Sequence, residues 1–442
     1  MTDYESKKAR LSEQIRRAGG VRLDKETSNL FRSRSAAPEN RLSVRDFNHI
    51  LEVNVDESWV DVEGMTTYAD LVDETLKYGL MPAVVPQLKT ITIGGAVAGV
   101  GIEATSFRYG LVHETVLEME ILLATGETVI CSKDARADLF FGFPNSYGTL
   151  GYALRLRVKL IPVKPFVRIA HARYGDAELY FRALEKACAP SAGAGADFVD
   201  GTMFGPEEMY ITIGTLTDRA PFVSNYTYMD IYYRSIRKKK DDYLSVRDYI
   251  WRWDTDWFWC SKAFGAQNPL IRRLFGKQRL NSTTYGKIKK FAERHPSIAG
   301  LASPFSRKES VIQDVDIPIE NAPAFQKFFF GEINIRPVWI CPFHVYEKTA
   351  RFDLYSFDPE KLYVNFGFWS SVPTKKEEGY YNRLIEAKVS ELRGKKGLYS
   401  DSYYTEKEFW DIYDKKTYDA LKQKYDPQKK LKDLYEKCVK RQ

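Results

Sequence analysis

No stretch of about 18 apolar residues occurs anywhere in the 442-residue sequence, which excludes a membrane-spanning helix. The first residues, Met1 to Arg17, are polar and charged and lack the apolar centre of a secretory signal. Cysteine is sparse. Cys131, Cys188, Cys260, Cys341 and Cys438 are odd in number, scattered, and never in CxxC spacing. That pattern argues against a disulfide framework and a zinc site, so we expect a reducing compartment and no metal. Histidine is equally sparse, with His49, His113, His171, His295 and His344. There is no GxxxxGK[ST] loop, no internal repeat and no low-complexity tract. The charge balance of 66 basic to 59 acidic residues, a net +7, is too diffuse to argue for nucleic acid. It suits an anionic cofactor, a negatively charged membrane surface or simple solubility equally well.

What is present is apolar and aromatic material. At 44% hydrophobic and 14% aromatic, the chain can fill the cores of two domains of roughly 150 to 250 residues each. Residues 4–18 read as a charged helix closed by Gly19-Gly20, and Asn29 to Asn40 as a Ser/Arg-rich loop. Trp59 to Glu63 alternates as a strand that Gly64 breaks. Thr67 then caps a helix running to Tyr78, with Asp70 as capping-box partner and Gly79 as the stop. A glycine-rich loop fills 86–110. Residues 116–124 and 127–131 form a strand pair around Thr125-Gly126. From Ala153 to Ile161 the period is two, with Leu154, Leu156, Val158 and Leu160 on one face and Arg155, Arg157 and Lys159 on the other. Pro162 and Pro165 mark a boundary. Beyond it we expect a helix over 177–189, strands over 207–217, 226–233 and 362–369, and helices over 378–393 and 406–425. Strands and helices mix without βαβ regularity, so the class is α+β.

The chemistry-bearing segment is Thr90 to Ser106, with four glycines within eight positions between threonines and small residues. Such a segment brings backbone N–H groups close to an anion, a pyrophosphate above all, or it is a purely structural turn. Gly99-x-Gly101 lacks the third glycine of a dinucleotide fingerprint, which argues against a Rossmann site.

The order of elements carries more than the segment alone. A strand–Gly–helix unit, Pro86-Gln87, the glycine segment, Arg108-Tyr109-Gly110, a strand pair, Asp138-Leu139-Phe140 and Gly148-Thr149-Leu150-Gly151 follow one another before the alternating strand. This succession resembles the FAD domain of the vanillyl-alcohol-oxidase (PCMH-type) family. The runs TIGGAVAGVGIEATSFRYG (92–110), DLFFGFPNSYGTLGYALRLRVKLIPVK (138–164), NPLIRRLFG (268–276), RPVWICPF (336–343) and LYSDSYYTEKEFWDIYD (398–414) resemble the delta-24 sterol reductase (Diminuto/seladin) family within it.

The resemblance implies an N-terminal helix and loop (1–41), a PCMH-type FAD domain (42–165), a substrate or cap domain (166–360) and a C-terminal segment returning to the flavin (361–442). It implies FAD-contacting residues Thr92, Ile93, Gly94, Gly95, Gly99, Gly101, Thr105, Ser106 and Tyr109. Gly148, Thr149 and Gly151 would lie near the adenosine half. The family's first phosphate loop, often with a flavin-linking histidine, corresponds to Thr27–Ser35, which has neither glycine nor histidine. Non-covalent FAD is therefore expected, with Arg32 and Arg34 as phosphate contacts. The implied reaction is NADPH-driven reduction of an isolated side-chain alkene in a sterol or isoprenoid. It needs a proton donor opposite the flavin, and Tyr403, Tyr399, Asp401 and Glu103 are the candidates, with Tyr404 and His344 behind them. Family members carry an N-terminal membrane anchor, whereas this sequence starts at the charged helix that follows it, so a cytoplasmic enzyme, soluble or in peripheral contact with a membrane, is expected. The aromatic-basic segment Trp251–Phe275 reads as core packing, a sterol tunnel or a membrane interface. An FAD oxidase or dehydrogenase of an alcohol or sugar lactone on the same fold is the rival reading, and a non-catalytic flavin-fold protein the third.

Overall fold

The computed structural model describes residues 3–18, 21–25, 29–32, 40–189, 195–294 and 307–441. The expected Gly19-Gly20 stop, Arg34 and His295 lie outside the described residues.

The first sheet is built on its most regular strand, Tyr152–Pro162, which sits between Trp59–Glu63 and Val116–Leu122. Ile50–Asn54 and Thr128–Ser132 extend it on either side, and Leu80–Pro82 pairs with its far end. Period two sends Leu154, Leu156, Val158 and Leu160 into the core. Its other face sets Arg155 and Arg157 opposite acidic neighbours: Arg155 reaches Asp61 at 3.0 Å and Glu118 at 2.6 Å, and Arg157 reaches Asp61 at 2.8 Å. The N-terminal helix Asp3–Arg17 closes over this ionic face. Lys8 meets Glu120 at 2.9 Å, and Leu11 and Ile15 bury against Phe47, Tyr152 and Leu154.

The second sheet begins at Phe166, directly past the proline-marked end of the first. Its eight antiparallel strands run in the order Asp241–Ser245, Phe166–Tyr174, Glu208–Thr217, Phe198–Gly205, Val338–Phe343, Tyr363–Pro373, Lys308–Pro318 and Lys395–Lys396. Helices Ala177–Cys188, Ala322–Phe328 and Tyr380–Glu391 cover one face, burying Tyr180, Phe181, Leu184, Phe325, Ile385 and Val389 against it. The other face turns toward the first sheet. Two sheets with helices set against them make an α+β fold.

Several elements differ from expectation for local reasons. The 86–110 loop contains two short helices, Ile93–Gly99 and Ser106–Tyr109, the first capped by the Thr92 hydroxyl. Residues 226–233 form no strand, because Tyr226 and Tyr232 bury edge to face on each other. The 406–425 helix is two, Glu406–Ile412 and Lys415–Tyr425. Asp414 breaks it at φ +47° and caps the second with its own carboxylate. The segment after 361 opens inside the second sheet, since Tyr363–Pro373 is paired on both edges.

One buried ion cluster joins the halves. Arg252 donates to Glu103, beside the glycine segment, at 3.0 Å and to Asp200, in the second sheet, at 2.7 Å. The guanidinium lies 4.1 Å from the Tyr249 ring, and all three charged groups are buried. Replacing Arg252 with Met strands two carboxylates in the interior. Urea unfolding should therefore show a loss of about 3–5 kcal/mol.

Candidate cofactor and substrate site

A cavity of about 370 Å³ lies between the two sheets. Cavities of roughly 300–1,000 Å³ are those that take small-molecule ligands. One wall is backbone. Thr92 accepts from Gly95 N–H at 3.3 Å and starts the helix Ile93–Gly99, whose exposed side lines the cavity. Gly94 N–H donates to the Gly64 carbonyl at 2.9 Å, and a Cβ at Gly94 would lie 2.7 Å from that oxygen. A side chain is thus excluded there by packing against the first sheet. Gly95 is different: a Cβ would meet only the Thr92 hydroxyl, so its bare face is cavity surface. Tyr147 closes the end of the helix, its hydroxyl donating to the Gly99 carbonyl at 2.9 Å. Arg32 stacks on the Tyr147 ring at 4.7 Å, donates to Cys438 Sγ at 3.0 Å, and lines the same space.

The opposite wall comes from the uncovered face of the second sheet. Trp257, Phe258, Trp339 and Trp369 form its aromatic part, with Phe258 stacked 4.3 Å from Trp369. Phe31 stacks on Trp257 at 5.7 Å. Set into this apolar surface are Asp314, Asp316, Asn365, Tyr355 and Tyr399. Asp316 accepts from Tyr355 at 2.7 Å and from Asn365 at 2.7 Å. The Tyr399 hydroxyl accepts from Trp369 Nε1–H at 2.9 Å and neighbours Asp314. Burial, and then the charge of Asp316, push the Asp314 carboxyl up to about 8. Burial also raises Asp316, to about 6, but its two donors and Lys395 offset part of that.

The expected residues divide between this cavity and its surroundings. Thr92, Gly94, Gly95, Gly99, Gly101, Gly148, Gly151 and Tyr399 line it. Ile93 is core beneath the helix, and Thr105 and Ser106 are buried in the following turn, where Ser106 Oγ accepts from Glu103 N–H at 3.1 Å. Tyr109 lies 6.0 Å from the Tyr346 ring, and Thr149 donates to the Ser146 carbonyl at 2.8 Å. Glu103 sits outside the lining, between Gln87 and Arg252. Burial raises its carboxyl to about 7 against the pull of Arg252. Asp401 pairs with Arg441 at 3.3 Å, and Tyr403 packs between Arg441 and Arg383, so neither reaches the cavity. Tyr404 is buried beside Tyr413, and His344 bonds to the Lys361 carbonyl at 3.1 Å. His113, the histidine nearest the glycine segment in sequence, is buried edge-on against Phe352 at 4.5 Å. Trp251 and Trp253 are core, whereas Trp257 and Phe258 line the cavity. Of the basic run 237–240, Arg237 forks onto Glu208 and Lys239 pairs with Asp242.

Asp314, Asp316 and Asn365 carry the cavity's polarity without having been singled out in the sequence. Their signal was faint: two acids two residues apart, on one face of a strand whose other face is Val311, Val315 and Ile317. Asp314 Oδ1, Asn365 Oδ1 and Gln87 Oε1 are buried without hydrogen-bond partners, on three residues lining one space. Such orphans call for a polar ligand. A cradle free of side chains at Gly95, an arginine, stacked aromatics and unmet polar atoms together fit FAD.

The comparisons agree with the geometry. Residues 26–132 match the family described as FAD binding domain. The protein is an FAD-dependent oxidoreductase with a PCMH-type FAD-binding domain. It is 29% identical over 416 residues to the delta(24)-sterol reductase of Homo sapiens, covering 88% of this chain and 76% of that protein. With the delta(24)-sterol reductase of Arabidopsis thaliana the identity is 26% over 423 residues, covering 86% and 73%. Cytokinin dehydrogenase 7 of Oryza sativa subsp. japonica is 34% identical over 144 residues, which is 32% of this chain and 28% of that protein. The chain is similar to the delta(24)-sterol reductases along most of its length.

The two adjacent glycines separate cofactor binding from folding. Gly95→Val should remove bound flavin, read from the visible absorbance of the purified protein, while the unfolding transition stays cooperative. Gly94→Val should lower the unfolding midpoint itself, because its Cβ meets backbone.

Proposed function

We propose that the protein saturates an isolated side-chain double bond of a sterol or related isoprenoid, using non-covalent FAD reduced by NADPH. The observation that carries this reading is a single cavity with a glycine cradle on one side and an aromatic wall holding the buried Asp314 carboxyl, with Oδ1 unpartnered, on the other. An unconjugated trisubstituted alkene accepts hydride only as a proton arrives at its less substituted carbon, leaving positive charge on the tertiary one. Bound in the cradle, FAD supplies the hydride. The chain's own residues supply the rest. Asp314 holds the proton, since burial keeps its carboxyl neutral through ordinary pH, and Tyr399, fixed by Trp369, orients it. The faces of Trp257, Phe258, Trp339 and Trp369 exclude water and favour a developing cation. Tyr399, rather than Tyr403, is the tyrosine suited to this role, because Tyr399 lines the cavity.

The test is an anaerobic titration. NADPH should bleach the flavin, and a sterol with a side-chain double bond should restore its colour. Asp314→Asn should leave bleaching intact and slow the return of colour by about 10²–10⁴-fold, with Tyr399→Phe in the same direction. Colour that returns only with oxygen, releasing hydrogen peroxide, would favour the oxidase reading instead.

The pH dependence has a definite sign. Asp314 is raised above the ordinary carboxylate range, so its acid form is complete at low pH and is lost as pH rises through about 8. The alkene step of the parent should fall across that range in stopped-flow traces, and the Asp314→Asn variant should lack this fall. The same carboxyl stabilises the fold below the ordinary range and loses that contribution through about 8.

A further inference from the structure

Between Asp256 and Glu293 the sequence has eight lysines and arginines and no acidic residue. Two helices occupy this stretch, Pro269–Phe275 and Ser282–Arg294. They pack together through Phe275 and Tyr285, whose ring centroids are 6.2 Å apart, and their inner side joins Trp257 and Leu280 in one cluster. Their outer side is the opposite of what a solvated helix presents. Leu270 is 71% exposed and Leu274, one turn on, 81%, with Ile271 beside them. Phe291, at 57%, and Ile288 are exposed one turn apart on the second helix. Arg273, Lys277, Arg279 and Lys287 are exposed around them, while Arg272 turns inward onto Asp256 at 2.7 Å.

We propose that this helix pair docks on an anionic lipid bilayer. Exposed leucines one turn apart are expensive in water and suit the acyl boundary, and the cations around them, against the single acid Glu293 at the end of the second helix, suit a negatively charged headgroup layer. No helix among the described residues is long and apolar enough to cross a membrane, so the contact lies in the surface plane. The surface also has a place in the fold. Trp257, on which the helices pack, lines the cavity, and Lys289 lies 4.7 Å over Phe31, another lining ring. This inference stands on the surface alone and holds whichever substrate the cavity takes.

Flotation of the flavin-loaded protein with vesicles tests it. Vesicles of phosphatidylcholine with phosphatidylserine should carry the protein upward, and phosphatidylcholine alone much less. Added salt should weaken the binding. The double variant Leu270→Ser, Leu274→Ser should partition about tenfold or more weaker with its flavin retained, because both side chains already face outward. Arg273→Gln and Lys277→Gln should each cost about fivefold. Failure to float, equal binding to both vesicle types, or a leucine variant that binds like the parent would each overturn the proposal. So would a lipid-free dimer in sedimentation velocity that the leucine variant abolishes, since a second copy would then be what covers the face.

Discussion

The buried Arg252 is the constraint on which the rest of the structure depends. The cavity exists only where two separately built sheets meet, and each brings a carboxylate to the meeting point: Glu103 from beside the glycine segment and Asp200 from the second sheet. Two acids brought together in a dry interior repel and resist burial. A single guanidinium, with a rigid fork of donors, turns that repulsion into a joint. Trp339 Nε1–H also approaches Asp200, at 3.3 Å, so the same joint sets part of the aromatic wall. The backbone cradle and the aromatic wall hold their spacing through this contact, although Arg252 itself does not line the cavity.

The contrast between Glu103 and Asp314 separates a carboxyl held between partners from the one we propose as the proton donor. Both are buried, and burial raises both. Glu103 has a cation 3.0 Å away and Gln87 as a second partner, so both of its oxygens are occupied. Asp314 has another acid as its main charged neighbour, leaves Oδ1 without a partner, and opens on the cavity. Like charge and burial act together there, which is the arrangement that keeps a carboxyl neutral at ordinary pH. Asp316 separates from it because Tyr355 and Asn365 satisfy both of its oxygens.

Much of the first half could be read in the sequence because its signals are local. The Thr67 cap, the stop at Gly79, which takes φ +70°, and the period-two strand around Leu156 each depend on residues a few positions apart. The glycine segment was visible for the same reason, but its helix was not, since glycine and alanine give no amphipathic pattern over seven residues. The acid wall was hidden by its own regularity. Alternating Val and Asp in 308–318 is the pattern of a strand with one face in water. Here that face turns toward another sheet, which no local window records. Asp314, Trp339 and Asn365 come from three strands that only the order of the second sheet brings together, and Tyr399 joins them from the turn after Lys395–Lys396. Choosing Tyr399 over Tyr403 likewise needs the Phe31 N–H bond to the Tyr399 carbonyl, at 2.9 Å, a contact across more than three hundred residues.

The aromatic stretch from Trp251 admitted three readings, and the structure divides it among them by position. Trp251 and Trp253 are core, and Trp253 lies edge to face with Tyr232 and stacks on Phe258. Trp257 is reached at φ +45°, and Phe258 follows at φ +60°. Two consecutive left-handed residues turn the chain sharply, and bulky side chains adopt that conformation only where packing repays the strain. Here the turn places both rings on the cavity wall and sends the chain out into the two basic helices. Relaxing the turn would move wall and helices together. The same strained pair therefore joins the cavity wall to the helix pair that we propose docks on a bilayer.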